Sequence, residues 1–458
     1  MLTKKTRCTE LGRTEPPRDS TPDRRIARGY AQAFGGALLL GALFLGTQLL
    51  VGGVARASGS QPGEAPLDSL LAAAMRDNPR ILAARASYSA AMARVSPAGA
   101  LPDPMLMFTA EGAPIATPSP TNAEIGKVAL TQMIPFPGKQ GLMRAGMAEE
   151  AEMARAQVDR TRLEVATDLH VAYYEIDRIH RSIDLLDQTR TTLLMLADIA
   201  RARYATGTAP QMDLLKASVE AAQEGNKLAI LRAQLPASVA RLNAILGRSP
   251  DAPLARPELP ETSLAIPAAE ALEQRAVDLQ PMLKMRESGV RKSGYDLRLA
   301  KREGLPDFTL GVEYMNMREM PDAWTAMAGV TLPIWRRNKV GPNIRSAEQS
   351  LAAARADRSQ AENDTRFMVR DAYAMTVAAR GTVELYRASV LPMADASFAS
   401  SKAAYETGRT GFLDLLDAER MLLDSRMEYL DAMADYMTSR AALGLAIGDP
   451  EMLGVKDE

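Results

Sequence analysis

The chain has very few side chains of the kinds that make disulfides, hold metal ions or act as catalytic nucleophiles. Among its 458 residues there is one cysteine, Cys8, and there are two histidines, His170 and His180. The two histidines lack the i, i+3 or i+4 spacing that brings two ligands together on one helix face. The sequence contains no Ser/His/Asp arrangement, phosphate loop or dinucleotide fingerprint in a suitable context. We therefore expect neither enzymatic activity nor a cofactor.

Charge and aromatic content exclude two further classes of protein. The 55 basic and 56 acidic residues leave a net charge of -1, so the basic balance typical of nucleic-acid binding is absent. Aromatic residues make up only 5% of the chain, while alanine and leucine are abundant. This composition is typical of long helices rather than of an all-β fold. We predict a mainly helical protein that does not bind nucleic acid.

The N-terminal region resembles a secretory signal. Residues 1–57 contain nine Lys/Arg and four Asp/Glu, a net of +5, and three arginines precede an apolar run from about Ala33 to Val54. Ala55-Arg-Ala57 then fits a small-x-small cleavage site. We predict that residues 1–57 are a cleaved signal peptide, followed by a short linker over 58–66. Because Cys8 lies ahead of the run, the mature chain would contain no cysteine for a disulfide or a lipid anchor.

The rest of the chain repeats itself after about 200 residues. Tyr204-Ala-Thr-Gly207 returns as Tyr405-Glu-Thr-Gly408, and Asp213 returns as Asp414; each of these offsets is 201. Leu101-Pro-Asp103 returns as Leu305-Pro-Asp307, an offset of 204. A period this long indicates a duplicated unit rather than a solenoid. We predict a first repeat over 67–248, a Pro-rich linker over 249–267, a second repeat over 268–448 and a polar tail over 449–458.

Long heptad patterns dominate both repeats. Seven apolar residues recur every seven positions between Val158 and Ala200, which predicts a long helix in a left-handed coiled coil. Each helix turns back at a glycine-containing tip, 204–213 or 405–414, and a carboxylate then lies in the first turn of the returning helix. Pro236 is expected to kink or locally unwind the first returning helix.

Two short stretches in each repeat change to a period of two. We predict strands at about 104–111 and 127–134, and again at about 308–317 and 325–332. Within them, apolar residues alternate with polar ones, so each strand has two unlike faces. The apolar face would contact lipid, and the water-filled side would be lined by Thr109, Glu111, Thr309 and Glu313.

Four strands are too few to close a membrane barrel, and open sheet edges are not tolerated in lipid. Several subunits would therefore have to share one barrel. An alternative remains open, because an ordinary soluble hairpin gives the same alternation. In that alternative, the protein is a periplasmic coiled-coil scaffold, and the apolar run of residues 33–54 is an uncleaved N-terminal anchor.

The duplicated helix–strand–strand–helix plan, the twin Tyr-x-Thr-Gly tips and the strand ends at Pro135 and Pro333 resemble the TolC family of outer-membrane efflux channels. The resemblance covers about residues 67–448. The stretch from Gln132 to Lys139 is similar to a strand end in the heavy-metal branch of that family. The resemblance implies a homotrimer that shares a 12-stranded β-barrel and continues as an α-helical tunnel through the periplasm.

The resemblance also implies a function and partners. The trimer would be the passive outer-membrane channel of a tripartite efflux or type I secretion system. It would contact outer-membrane lipid, a periplasmic adaptor protein and an inner-membrane pump of the RND type. The clustered methionines Met315, Met317 and Met320 offer thioethers, which suit soft metal ions such as Cu(I). We favour metal ions over organic compounds as substrates on this ground and on that of the Gln132–Lys139 stretch.

The resemblance assigns roles to the tip residues. Asp414 and Asp417 match aspartates that ring the periplasmic mouth, whereas Tyr405 and Asp213 match positions that help to hold it shut. An arginine that usually takes part stands at the position of Thr410, and its neighbour Arg409 is the candidate replacement. The region where adaptor hairpins dock corresponds to Gly207, Thr208, Gly408 and Arg409. The alternative role for Asp414 and Asp417 is that of ordinary acids near a helix start.

Overall fold

The structure is a computed structural model that describes residues 66–112, 123–257, 264–318 and 320–455. The proposed signal peptide, Cys8 and nearly all of the 58–66 linker lie outside these residues. In the part of the chain that is described, no helix is both long and apolar enough to cross a bilayer. The helices are α1 (Leu67–Asp77), α2 (Pro79–Ala98), α3 (Lys139–Ala205), α4 (Gln211–Ile245), α5 (Ala269–Leu279), α6 (Pro281–Arg302), α7 (Gly341–Leu385), α8 (Leu391–Glu406) and α9 (Phe412–Ile447), and the strands are β1 (Met105–Glu111), β2 (Ile125–Ile134), β3 (Asp307–Met317) and β4 (Ala323–Thr331).

The long helices follow the heptad pattern. Helix α3 has 67 residues, which at 1.5 Å per residue makes it roughly 100 Å long. It packs along α4 and α9, and its buried positions include Val165, Ala172 and Ile179, which are seven apart. Helix α4 runs without interruption through Pro236, so the chain does not unwind there.

The helical stretch that leads from β4 to the second tip is not a regular α-helix throughout. Two π-helical segments, Arg336–Val340 and Tyr386–Val390, adjoin α7. In each, the backbone N–H that follows the segment donates to the carbonyl five residues earlier. Each segment ends two residues before a proline, Pro342 or Pro392. Because proline has no N–H and crowds the preceding turn, the wider π turn re-pairs the local backbone.

The strands form one antiparallel sheet in the order β1-β2-β3-β4. Phe108 lies opposite Val128, and Val128 lies opposite Tyr314, so the even-numbered residues form one largely apolar face. The odd-numbered face carries most of the polar side chains, although Gln132 and Asn316 stand on the even-numbered face. The predicted alternation is therefore confirmed, and the mainly helical architecture with a small sheet agrees with the predicted fold class.

A pair of matching polar contacts joins the helices of each repeat. Asn78 caps α2 by accepting from the N–H of Arg80 at 2.8 Å, and its amide donates to the carbonyl of Ile245 at 2.7 Å. Gln280, at the corresponding break between α5 and α6, donates to the carbonyl of Ala446 at 2.8 Å. In each repeat, the polar residue between the two short helices is thus hydrogen-bonded to the C-terminal end of the returning helix, which is α4 in the first repeat and α9 in the second.

The tail and the Pro-rich linker are packed more closely than the sequence suggested. The prediction of a polar tail over 449–458 is wrong for its described residues, because Leu453 and Val455 are buried in the main hydrophobic cluster. Their apolar side chains cover the part of α3 that contains His170, whose Nε2 lies 3.1 Å from the carbonyl oxygen of Leu453. Burial there lowers the pKa of the His170 imidazole. Three apolar residues of the linker, Leu254, Leu264 and Ile266, pack against the same cluster.

Candidate functional site at the helix tips

The two tips have the same backbone geometry. Gly207 and Gly408 adopt positive φ angles of 71° and 73°, which glycine reaches without a steric cost. One residue later, the N–H of Thr208 donates to the carbonyl of Arg203 at 2.8 Å, and the N–H of Arg409 donates to the carbonyl of Ala404 at 2.8 Å. This pattern satisfies the last carbonyls of α3 and α8 and ends each helix sharply. The four residues predicted for adaptor docking therefore lie on two equivalent turns.

Tyr405 is the central side chain of the second tip. It is only 3% exposed and packs in a cluster with Leu193 and Leu196 of α3 and with Phe412 and Leu415 of α9. Its ring meets that of Phe412 edge-on, with the ring centroids 5.4 Å apart. Tyr405 therefore joins α8 and α9 to the end of α3.

Arg203 is the cation beside Tyr405, and it was not among the predicted site residues. Its guanidinium carbon lies 4.7 Å from the centroid of the Tyr405 ring, and its Nη1 donates to the Tyr405 carbonyl. Burial, and then the nearby Asp213, raise the pKa of Tyr405, while Arg203 opposes them. Burial also raises the pKa of Asp213. The available signal was a cation in the last turn of α3, where the helix dipole favours positive charge.

Arg409, the candidate replacement for the locking arginine, has a different partner within one chain. Its Nε donates to the hydroxyl of Thr407 at 3.1 Å. Thr410, which stands at the usual arginine position, donates its hydroxyl to Asp414. Among the described residues, the contact with Tyr405 is thus made by Arg203 and not by Arg409.

Asp414 and Asp417 lie one turn apart on an exposed face of α9. The Oδ2 of Asp414 accepts from the Thr410 hydroxyl and, at 3.3 Å, from the N–H of Gly411, so Asp414 caps the start of α9. Asp417 lies 3.8 Å from Arg420 and is otherwise exposed. Within one chain both acids thus have the contacts of ordinary helix-start residues. A ring of these acids requires further copies of the chain and remains a prediction.

A buried carboxylate cluster lies close behind these acids and was not predicted. Arg420 donates to both carboxylate oxygens of Glu220, at 2.7 and 2.5 Å. Glu419 is only 4% exposed, and its Oε2 has no hydrogen-bond partner among the described residues. Burial, and then Glu224 and Glu220, raise the pKa of Glu419 to about 7. Over the same residues, no group of three or more His, Cys, Asp or Glu side chains is arranged to hold a metal ion.

The polar residues predicted for the barrel lumen share the odd-numbered face of the sheet: Thr109, Glu111, Thr309 and Glu313. Glu111 accepts from Lys127 Nζ at 2.5 Å, and Lys127 lies opposite Thr109 on β1 and opposite Met315 on β3. Lys127 was not among the predicted lumen residues, because it stands at the edge of the predicted strand. That this face lines a water-filled lumen remains a prediction.

The motif around Pro135 joins the two repeats at the end of the sheet. Lys139 Nζ lies 2.7 Å from the Oδ1 of Asp307 and 3.2 Å from the carbonyl oxygen of Leu305. The N–H of Phe136 donates to the same Asp307 oxygen at 2.7 Å. We call this set of contacts the repeat junction. It fixes the end of β2 against the start of β3.

The family of the chain follows from its match to known proteins. Residues 70–248 and 272–449 match the family described as outer membrane efflux protein. The chain belongs to the outer membrane efflux protein family. The two matched segments together make up well over half of the 458 residues.

Several characterised efflux proteins are similar to this family member. The cobalt-zinc-cadmium resistance protein CzcC of Cupriavidus metallidurans is 23% identical over 391 residues, which cover 84% of this chain and 90% of CzcC. The solvent efflux pump outer membrane protein SrpC of Pseudomonas putida is 23% identical over 318 residues, which cover 66% of each chain. Both relatives are named for efflux or resistance and neither for an enzymatic reaction.

Solved structures of outer-membrane channels have the same fold. The CusC structure superimposes with a TM-score of 0.72 at 16% identity, covering 83% of this chain and 91% of CusC. The open MtrE channel of Neisseria gonorrhoeae gives a TM-score of 0.69 at 16% identity, with 85% and 89% covered. The prediction of a TolC-like fold is therefore confirmed. Family and fold together support an efflux channel of the outer membrane over a periplasmic scaffold.

Proposed function

We propose that this chain forms the outer-membrane channel of a tripartite efflux system. Substrates handed over by an inner-membrane pump of the RND type and a periplasmic adaptor would pass through it passively to the exterior. The observation that carries the proposal is the small sheet, which has one apolar face and one polar face. Among the described residues, its two edge strands have no partner on their outer side. The sheet is continuous with a helical body roughly 100 Å long. A membrane barrel extended by a tunnel needs these features.

The proposed assembly is a homotrimer. Membrane barrels need about eight strands or more, and three copies of this four-stranded sheet supply twelve. The even-numbered face would contact outer-membrane lipid, since Phe108 is 72% exposed and Leu106, Val312 and Trp324 are also exposed on it. Burying these side chains in lipid supplies the hydrophobic driving force for insertion.

The proposed gate is the narrow mouth where three copies would bring Asp414 and Asp417 together. Six carboxylates around a water-filled constriction create a negative potential that concentrates cations. In Asp414→Asn with Asp417→Asn, asparagine still accepts hydrogen bonds at the helix start, so the fold is kept while the charge is removed. We expect lower cation selectivity in planar bilayers than in the wild type. Asp424→Asn, an exposed acid on the same helix, is the control. Unchanged selectivity in the double variant would refute the gate.

The two tips would provide the adaptor-docking surface. Gly207, Thr208, Gly408 and Arg409 lie on equivalent exposed turns, which suits docking of one repeated partner element. Arg409→Glu should reduce the amount of adaptor that co-purifies with the channel. Arg355→Glu changes an exposed arginine on α7 and serves as the matched control. Equal recovery of the adaptor with both variants would argue against docking at the tips.

Metal cations are the proposed substrates. CzcC, a cobalt-zinc-cadmium resistance protein, matches 84% of the chain. Met315 and Met317 also share the polar face of the sheet with Glu313 and offer thioethers to soft cations. Organic solvents are the second candidate, because SrpC is named as part of a solvent efflux pump.

A deletion strain that retains the pump and adaptor separates the two substrate classes and tests the function. We expect it to lose tolerance to cobalt, zinc or cadmium and to keep its tolerance to toluene, with recovery when the gene is restored. Lost toluene tolerance with unchanged metal tolerance would favour the solvent substrate. Unchanged tolerance to both classes would contradict the efflux function.

A further inference from the structure

The repeat junction joins two sequence motifs, and each motif occurs twice in the chain, once in each repeat. Within the described residues, however, the junction itself forms only once. One half is the strand end of the first repeat, with Phe136 and Lys139, and the other is the Leu-Pro-Asp motif of the second repeat, with Asp307. The remaining halves are the Leu-Pro-Asp motif of the first repeat, with Asp103, and the strand end of the second repeat, after β4. These two halves cannot meet inside one chain, because β1 and β4 are at opposite edges of the sheet.

The strand registers show that the two repeats can be superimposed residue by residue. In the first hairpin Met105 lies opposite Thr131, and in the second Thr309 lies opposite Gly329. The offset is 309 minus 105, or 204, for the first strand and 329 minus 131, or 198, for the second. These are the offsets of the twin Leu-Pro-Asp motifs and of Pro135 and Pro333 in the sequence. The strand pairings of one repeat can therefore be transferred to the other, although the turn after β4 differs from the turn after β2: the N–H of Ile334, the counterpart of Phe136, donates to the carbonyl of Leu332.

The same two offsets, applied to the Lys139–Asp307 pair, identify two exposed, oppositely charged residues. Asp307 minus 204 gives Asp103, and Lys139 plus 198 gives Arg337. Both side chains are exposed, and neither has a hydrogen bond or ion pair with any residue within 66–112, 123–257, 264–318 or 320–455. The neighbouring Arg336 is already used, since its Nη2 donates to the carbonyl of Gly304. Arg337 is thus the cation that remains for Asp103.

We propose that Asp103 of one copy pairs with Arg337 of the next copy, at a junction where β4 of one chain adds to β1 of its neighbour. This inference rests on the proposed trimeric channel and specifies how its subunits join. The register follows from the β2–β3 pair, in which Met133 lies opposite Thr309. Transferred by the same offsets, Thr331 of one copy lies opposite Met105 of the next.

The faces of the sheet agree with this register. Val330 would lie opposite Leu106 of the next copy, so two exposed apolar side chains meet on the lipid-facing side. Thr331 and Met105 would meet on the odd-numbered, polar side. A slip of one residue would place polar and apolar side chains on the same face of the shared barrel. The register that the repeat predicts is therefore also one that keeps the two faces separate.

A cysteine pair tests the register in the full-length chain. Met105→Cys with Thr331→Cys is introduced together with Cys8→Ser, so that the chain has no other thiol. Opposed residues of antiparallel strands have Cα atoms about 4.5–5.5 Å apart, which is within disulfide range. Inside one chain the two positions lie three strand spacings apart, about 14 Å, which is out of range. The control is Thr109→Cys with Thr331→Cys, which is four residues, about 13 Å, out of register.

Oxidation of the membrane fraction should convert most chains of the Met105→Cys, Thr331→Cys variant into covalent dimers and trimers that reductant returns to monomers. The control pair should stay monomeric on the same denaturing gel. A lysine-reactive crosslinker applied to the wild type reports the oligomeric state independently. A trimer by that assay with no disulfide in the test pair overturns the proposed junction alone. A protein that stays monomeric in both assays overturns the junction and the proposed trimeric channel together.

Charge reversal tests the ion pair. Asp103→Arg and Arg337→Asp should each lower the temperature at which the trimer dissociates in mild detergent, because two like charges then face each other. The double reversal restores the pair, and its dissociation temperature should return close to that of the wild type. A double variant at least as unstable as the worse single variant overturns the ion pair, even if the cysteine pair crosslinks.

Discussion

Glu419 offers a quantitative test of the buried carboxylate cluster. Its side chain is 4% exposed on α9, and burial together with Glu224 and Glu220 raises its pKa from the ordinary 4.5 to about 7. The folded protein therefore binds a proton at Glu419 more tightly than the unfolded chain does. The resulting contribution to stability is present at low pH and is lost as the pH rises from about 4.5 through about 7.

The size of the effect follows from the same pKa values. A rise from 4.5 to about 7 corresponds to about 3 kcal/mol of stability lost between acid and alkaline pH, since one pKa unit equals about 1.4 kcal/mol. Glu419→Gln removes the ionisation and keeps the shape. We expect wild type and variant to have similar stability at pH 5. At pH 8 the variant should be more stable by about 3 kcal/mol.

The assay is denaturant unfolding of the purified protein, followed by circular dichroism at 222 nm and repeated at pH 5, 6, 7 and 8. Asp435→Asn, which neutralises an exposed acid further along the same helix that is not among the charges raising the pKa of Glu419, is the control and should show no such trend. A difference between Glu419→Gln and the wild type that is the same at pH 5 and pH 8 would refute the reasoning. Loss of stability in the variant at every pH would refute it as well.

Three further variants test separate contacts. Arg203→Ala removes the cation over the Tyr405 ring and should lower the stability of the tip by about 1–2 kcal/mol, measured as thermal unfolding; Arg201→Ala, an exposed neighbour, should have little effect. Lys139→Met leaves the Asp307 carboxylate without its cation, so it should lower the stability by about 3 kcal/mol and lower the temperature at which the sheet unfolds. Lys292→Met breaks an exposed ion pair within one helix, and an equal response to that change would contradict this expectation. Leu453→Ala opens a cavity under the C-terminal segment and should cost about 3 kcal/mol, whereas a polar, unpacked tail would tolerate the change.

Most of the fold could be predicted from periodicity because the elements are long and regular. A heptad pattern over more than forty residues predicts α3 and its buried face, and the alternation predicts β1 and β3 within one residue at most ends. The π-helical segments could not be predicted in this way. They form because backbone carbonyls in the turn before Pro342 or Pro392 accept hydrogen bonds from the N–H five residues later. Hydrophobic periodicity does not predict which backbone hydrogen bonds form.

The tip residues were predictable only in part. Gly207, Gly408 and Asp213 could be found because turn chemistry and the helix dipole restrict the residue types at a tip. Arg203 contacts Tyr405 across about 200 residues of sequence, and a single sequence does not reveal such a pair. Glu419 was missed for a related reason. A charged residue on a helix is usually solvated, and only the tertiary packing around α9 makes this one buried.

Conductance of the purified protein in a planar bilayer tests the central claim most directly. If the chain forms a passive channel, discrete current steps should appear without nucleotide or any other energy source. The steps should be absent for the Leu106→Asp with Phe108→Asp variant, which places charges on the lipid-facing side of the proposed membrane strand. A wild-type protein that inserts into lipid, as judged by co-flotation with vesicles, and yet carries no current would contradict the claim.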